Sequence, residues 1–209
     1  MNLSLNETRA MARKATRGAG YGWGLADEAG RAVEGLCAMG LDGCEALADL
    51  LTDAGAHRSA PVIDGTVWRA EDGPLCPLQT GLALLDRCAA LDLAATPIAL
   101  QRVACPLLIV PFVADMSRLL KVAVRIDAGG GHITILGPGA ATLSDFPQVP
   151  SDLCIALSTR AASPRKLASR AHPDPAAWAV LNALAHRTYA PATEASRQAG
   201  AGAGLTDND

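Results

Sequence analysis

From residue 18 to residue 24 every second position is glycine, in the run Gly18-Ala19-Gly20-Tyr21-Gly22-Trp23-Gly24. Glycine loses the most backbone freedom on ordering, so such a run does not sustain a helix interior. Arg17–Gly24 is therefore expected to be a loop carrying two large rings. It interrupts a helical N-terminal quarter. Ahead of it, Ser4-Leu5-Asn6-Glu7 has the form of a capping box, and a first helix is predicted from there to about Thr16. Behind it, Ala26, Ala29, Val33, Leu36 and Cys37 recur at three- and four-residue steps. That spacing predicts a second helix from Leu25 or Asp27 to Met39, with Asp27 and Glu28 in the first turn where the helix dipole favours anions. Gly40 stops it, and Cys44 to Leu51 reads as a third helix. Two helices joined by a turn invite a DNA-binding reading, but Glu45, Asp49 and Asp53 would set three carboxylates against phosphate.

The period changes after Ala60. Pro61–Gly65 and Thr66–Arg69 are short β signals, Thr80 to Leu91 returns to helical spacing, and Ile98–Val103 and Leu107–Val113 are apolar runs. Pro106 and Pro111 bound or interrupt the latter, so at least one of these two runs is not a central strand. The clearest local unit is a hairpin over 122–136. Val122 to Asp127 alternates, Ala128-Gly129-Gly130-Gly131 turns, and His132 to Leu136 alternates back. Leu153–Ser158 offers one more strand. Pro173-Asp174-Pro175 then opens a long C-terminal helix, about 175–187, with Ala177, Val180, Leu181 and Leu184 on its buried stripe.

Strands in the middle and helices at both ends predict an α+β fold around a mostly antiparallel sheet. A chain of 209 residues fits one domain, with 1–56 helical, 60–160 rich in β and 174–209 made of a helix and a glycine-rich tail. Half the residues are hydrophobic, but 42 are alanine and only seven are aromatic, so the core must rest on close backbone approach and many leucines. The scarcity of rings and a net charge of −3 argue against nucleic acid, whose binders need stacking platforms or a basic excess. No apolar run approaches the roughly 18 residues of a membrane span, and the N-terminus has no signal-peptide core. The six cysteines include no Cys-x-x-Cys pair and read as small buried hydrophobes in a reducing cytoplasm. No His-Glu-x-x-His, P-loop or Gly-x-Ser-x-Gly signature occurs, so no metal or cofactor is expected.

Candidate chemistry concentrates near the C-terminus. Arg187 and Arg197 suit a bidentate grip on a carboxylate, His186 and Glu194 are candidate proton carriers, and Tyr189 and Ser196 can orient a substrate. Gly200, Gly202 and Gly204 allow close backbone approach to an anion. The same His186 and Arg187 equally suit the cationic last turn of a helix, and the glycine run a free tail. Tyr21 and Trp23 are candidates for the wall of an apolar pocket, or for plugs in a core short of rings.

Asn2 to Asn6, the stretch Arg17 to Ala26 with Glu28-Ala29-Gly30, and the ending His186 to Tyr189 through Gly204 to Asp209 resemble a bacterial family of proteins of unknown function. The resemblance runs over the whole length and implies a single-domain cytoplasmic protein of small-molecule metabolism. It carries no reaction and no catalytic residue. The expectation is a protein that binds or acts on a small anionic metabolite, a carboxylate, through the His/Arg/Tyr cluster. The alternative is a non-catalytic subunit or interaction module whose Gly-Ala tail docks into a partner chain. Pro-bounded apolar segments such as Leu107–Phe112 favour a homodimer.

Overall fold

The two-residue strand β1 (Leu3–Ser4) leads directly into α1 (Leu5–Gly18). Ser4 Oγ accepts from the Glu7 N–H at 3.2 Å and the Glu7 carboxylate accepts from the Ser4 N–H at 2.7 Å, which completes the capping box. These are features of a computed structural model that describes residues 1–53, 60–137, 141–144 (backbone only), 146–160 and 166–189. Helices α2 (Trp23–Ala38) and α3 (Gly43–Thr52) follow. The expected eight-residue loop is shorter: Arg17 and Gly18 close the last turn of α1, Trp23 and Gly24 open α2, and only residues 19–22 join them. Glycine is tolerated there because its positions are helix ends. Gly22 is the N-cap of α2, and Gly20 takes a left-handed φ of 98° in the joint.

Seven strands form the main sheet: β2 (Val62–Asp64), β3 (Val67–Arg69), β4 (Ile98–Val103), β5 (Val124–Ala128), β6 (Gly131–Ile135), β7 (Ala141–Ser144) and β8 (Ser151–Leu157). Their order is β2-β3-β4-β8-β5-β6-β7, and only β3–β4 is parallel. The architecture is α+β with a mostly antiparallel sheet. The predicted hairpin is present with a tighter turn. Ala128 pairs with Gly131, leaving Gly129 and Gly130, both at positive φ, as the two-residue primed turn that matches strand twist. Its inward row, Val124, Ile126, Ile133 and Ile135, is buried and continues through Ile155 and Leu100 on the neighbouring strands.

Of the two apolar runs, Ile98–Val103 is a strand and Leu107–Val113 is helical. Pro106 opens a 3-10 turn (Pro106–Ile109) and Pro111 lies in the first turn of α5 (Val110–Leu120), where a missing N–H costs nothing. Leu108, Ile109, Val110, Phe112 and Val113 are all buried inside the chain. Leu107 is half-buried and lines a cavity with Leu41 and Phe146. α4 (Pro77–Arg87) packs against α5 so closely that a β-carbon on Gly81 would overlap the Phe112 ring.

A second, two-stranded sheet pairs β1 with β9 (Arg170–Ala171) and feeds the chain into α6 (Pro175–His186). Asp174 caps it, accepting from the N–H groups of Ala176 and Ala177 at 2.8 and 3.0 Å. At twelve residues α6 has ordinary length and is not the long helix expected. It lies along α1 and α3. One cluster of buried residues runs from Ala12 through the sheet to Leu184. No described helix is long and apolar enough to cross a membrane.

Candidate functional site

The C-terminal end of α1 is where α6 crosses it. A β-carbon on Gly18 would overlap the Leu184 carbonyl of α6 and stand 3.5 Å from the Arg187 β-carbon. Only glycine permits this crossing, and it brings Arg187 beside Gly18 and Tyr189 beside Lys14.

Three cations of α1 lie on this surface. Arg13 and Arg17, one turn apart, both cover the Trp23 ring, with guanidinium carbons 5.0 and 5.3 Å from its centroid. Arg17 is held there by donating to the Tyr21 carbonyl at 2.9 Å, and Arg13 by Asp27 at 2.5 Å. Lys14 sits over the Tyr189 ring, 5.1 Å from its centroid, with Nζ 3.4 Å from the phenol oxygen. His186 meets the same ring edge-on at 5.1 Å. Trp23 and Tyr189 remain about half exposed, at 49% and 50%, so each ring still shows a face to solvent. Among the described residues no carboxylate lies within 4.0 Å of Lys14, Arg17 or Arg187. The surface is a cationic, aromatic patch on a chain whose net charge is negative.

The sequence left Tyr21 and Trp23 either as the wall of an apolar pocket or as core plugs, and the structure gives the two rings different surroundings. Tyr21 is buried, its hydroxyl 3.8 Å from Cys76 Sγ, and serves as a core plug. Trp23 faces outward because it opens α2, whose apolar stripe begins at Leu25 and Ala26. His186 and Tyr189 pack together beside Lys14, the neighbour in sequence of the Arg13 that covers Trp23, and Arg187 begins beside Gly18. Glu194, Ser196, Arg197, Gly200, Gly202 and Gly204 lie outside the described residues. Arg13, Lys14 and Arg17 were legible only as the polar face of an amphipathic helix. The i, i+4 spacing of Arg13 and Arg17, with a ring six residues on, was the available signal.

The cavities elsewhere have a different character. One of about 310 Å³, between Leu41, Leu107 and Phe146, carries Asp42, Glu45 and Asp49 on its wall and so repels anions. Among the described residues no group of three or more His, Cys, Asp or Glu side chains is placed to hold a metal ion.

Residues 3–90 match the model of a family described as "Protein of unknown function (DUF3726)". The matched stretch contains α1 to α4 and the Gly20–Gly24 joint, and it ends before the sheet's centre and before His186. Searches of curated proteins and of solved structures gave no match.

Proposed function

We propose that this protein binds a small anionic metabolite, a carboxylate, on the surface where the ends of α1 and α6 meet. One observation carries the reading: Lys14 covers the Tyr189 ring and Arg17 the Trp23 ring at the end of α1 that α6 crosses, where the Arg187 side chain also begins, and no described carboxylate lies within 4.0 Å of these three cations. Like charges gathered on one surface repel one another, and an anion seated among them removes that cost. Guanidinium groups at Arg17 and Arg187 match a carboxylate in shape, and the exposed faces of Trp23 and Tyr189 give an organic anion apolar area to cover. His186, edge-on to Tyr189, is the group positioned to exchange a proton with such a ligand.

The test is a thermal-shift and calorimetric screen of small mono-, di- and tricarboxylates against the full chain. A ligand at about 100 times its Kd should stabilise the fold by roughly 2.7 kcal/mol. Lys14→Glu combined with Arg187→Glu should abolish that shift while leaving the unliganded melting temperature nearly unchanged. If no carboxylate at millimolar concentration shifts the wild-type chain, the reading fails. Deleting residues 200–209 separates it from the interaction-module alternative, which requires that deletion to cost assembly with a partner while leaving anion binding alone.

A further inference from the structure

Cys37 and Cys44 face each other across the corner between α2 and α3. Cys37 lies in the last turn of α2 and Cys44 in the first turn of α3, and the two helices touch one residue earlier, where a β-carbon on Gly43 would be 2.9 Å from that of Leu36. Both thiols line a cavity of about 170 Å³ closed on its other side by Ala171, His172 and Asp174. A water molecule's share of liquid is about 30 Å³, so the cavity has room for a molecule of hydrogen peroxide's size.

We propose that Cys37 and Cys44 form a redox-active dithiol that is oxidised by a small hydroperoxide and closes to an intramolecular disulfide. Cys37 reacts first. The hydrogen bond from Cys44, with those from the Gly43 and Cys44 amides, holds its thiol below the usual range against burial and Asp42, whereas Cys44 is pushed up. The Cys37 sulfur attacks the terminal peroxide oxygen, the O–O bond breaks, and the departing oxygen takes the thiol proton to leave as water or an alcohol. Cys37 is now a sulfenic acid, oxidised by two electrons. The Cys44 sulfur then attacks that sulfur, the S–O bond breaks, and the hydroxyl leaves with the Cys44 proton as water. Two thiols and one hydroperoxide become one disulfide, one alcohol or water, and one water. A thiol reductant restores the pair. This site lies apart from the cationic surface and does not depend on it.

The experiment treats the full chain with hydrogen peroxide under native conditions, alkylates after denaturation, and maps the cysteines by mass spectrometry. Both residues lie in one tryptic peptide, 32–58. The expected result is that this peptide loses two hydrogens and takes no alkyl group, and regains both sites after dithiothreitol. In Cys44→Ala, a cyclic diketone should instead trap a sulfenic acid at Cys37. Recovery of both thiols, at a peroxide level that oxidises free glutathione in the same solution, overturns the proposal. So does a Cys37 linkage to any other cysteine, or a diketone adduct absent from Cys37 in a folded Cys44→Ala chain. Should that variant not fold, the wild-type map decides alone.

Discussion

The carbonyl oxygen of Leu184 occupies the place that a side chain on Gly18 would need, and this contact seats α6 on α1. Adding one methyl group at residue 18 forces the helices apart. Gly18→Ala should gain about 1 kcal/mol of helix propensity and lose more to overpacking, which typically costs about 1–3 kcal/mol and more where backbone must move. The net result is a destabilised chain. Gly24 is also helical, in the first turn of α2, but meets nothing within 4 Å, so Gly24→Ala should stabilise by about 0.5–1 kcal/mol. Urea denaturation of the two variants checks this: an unharmed Gly18→Ala would mean the helices do not cross this closely.

The Trp23 ring under Arg13 and Arg17 makes a second measurable claim. Each guanidinium over an exposed ring is worth about 0.5–1 kcal/mol. Double-mutant cycles of Arg17→Ala with Trp23→Ala, and of Arg13→Ala with Trp23→Ala, should each return a coupling of that size. Coupling of one arginine alone would show that the other guanidinium does not lie over the ring.

Much of the fold was legible because local patterns set it. The alternation over 122–136 dictates a hairpin, Ser4 and Glu7 dictate a helix start, and Asp174-Pro175 dictates another. The start of α5 was hidden because burial all round erases its helical period and because Pro106 and Pro111 look like strand breakers until their place in first turns is known. The parallel pairing of β3 with β4 joins segments separated by a whole helix, which no local pattern encodes. The site divides along the same line. His186, Arg187 and Tyr189 stood out by residue type, whereas the share of Arg13, Lys14 and Arg17 comes from the α1–α6 crossing. Cys37 and Cys44 matched no spacing motif, and only the turn of chain between two helices brings both to one cavity.

The capping box makes stability depend on pH at the acid end. Backbone and hydroxyl hydrogen bonds from Ser4 hold the Glu7 carboxyl below its usual range. A carboxyl depressed in the folded state stabilises fully above the unfolded value, about 4.3, and that contribution is lost as pH falls through the folded value. Wild type should therefore be more stable than Glu7→Gln at neutral pH, and the gap should close well below about pH 4. Denaturation curves of both chains across that range check it; a gap independent of pH would place the effect of the substitution outside this ionisation.

Cys105 gives a prediction at the alkaline end. It is a non-glycine residue in the left-handed region, with φ 46° and ψ 66°, just before the proline that opens the 3-10 turn. Burial, with smaller contributions from Asp49 and Asp53, pushes its thiol up to about 12. Only the thiolate is alkylated, so at about pH 8 this residue should react roughly three orders of magnitude more slowly than an ordinary cysteine of pKa near 8.5. Iodoacetamide labelling of the native chain, read by mass spectrometry, should leave Cys105 unmodified while unfolded chain is labelled fully. The sign for stability follows from the same displacement. Below about 8.5 both states hold the proton and the contribution is complete; between there and about 12 the unfolded chain releases it first, so stability declines as pH rises. Cys105→Ala removes the ionisation and should flatten that part of the profile. Rapid labelling of Cys105 in the folded chain would mean that its thiol is not sheltered between α3 and the 3-10 turn.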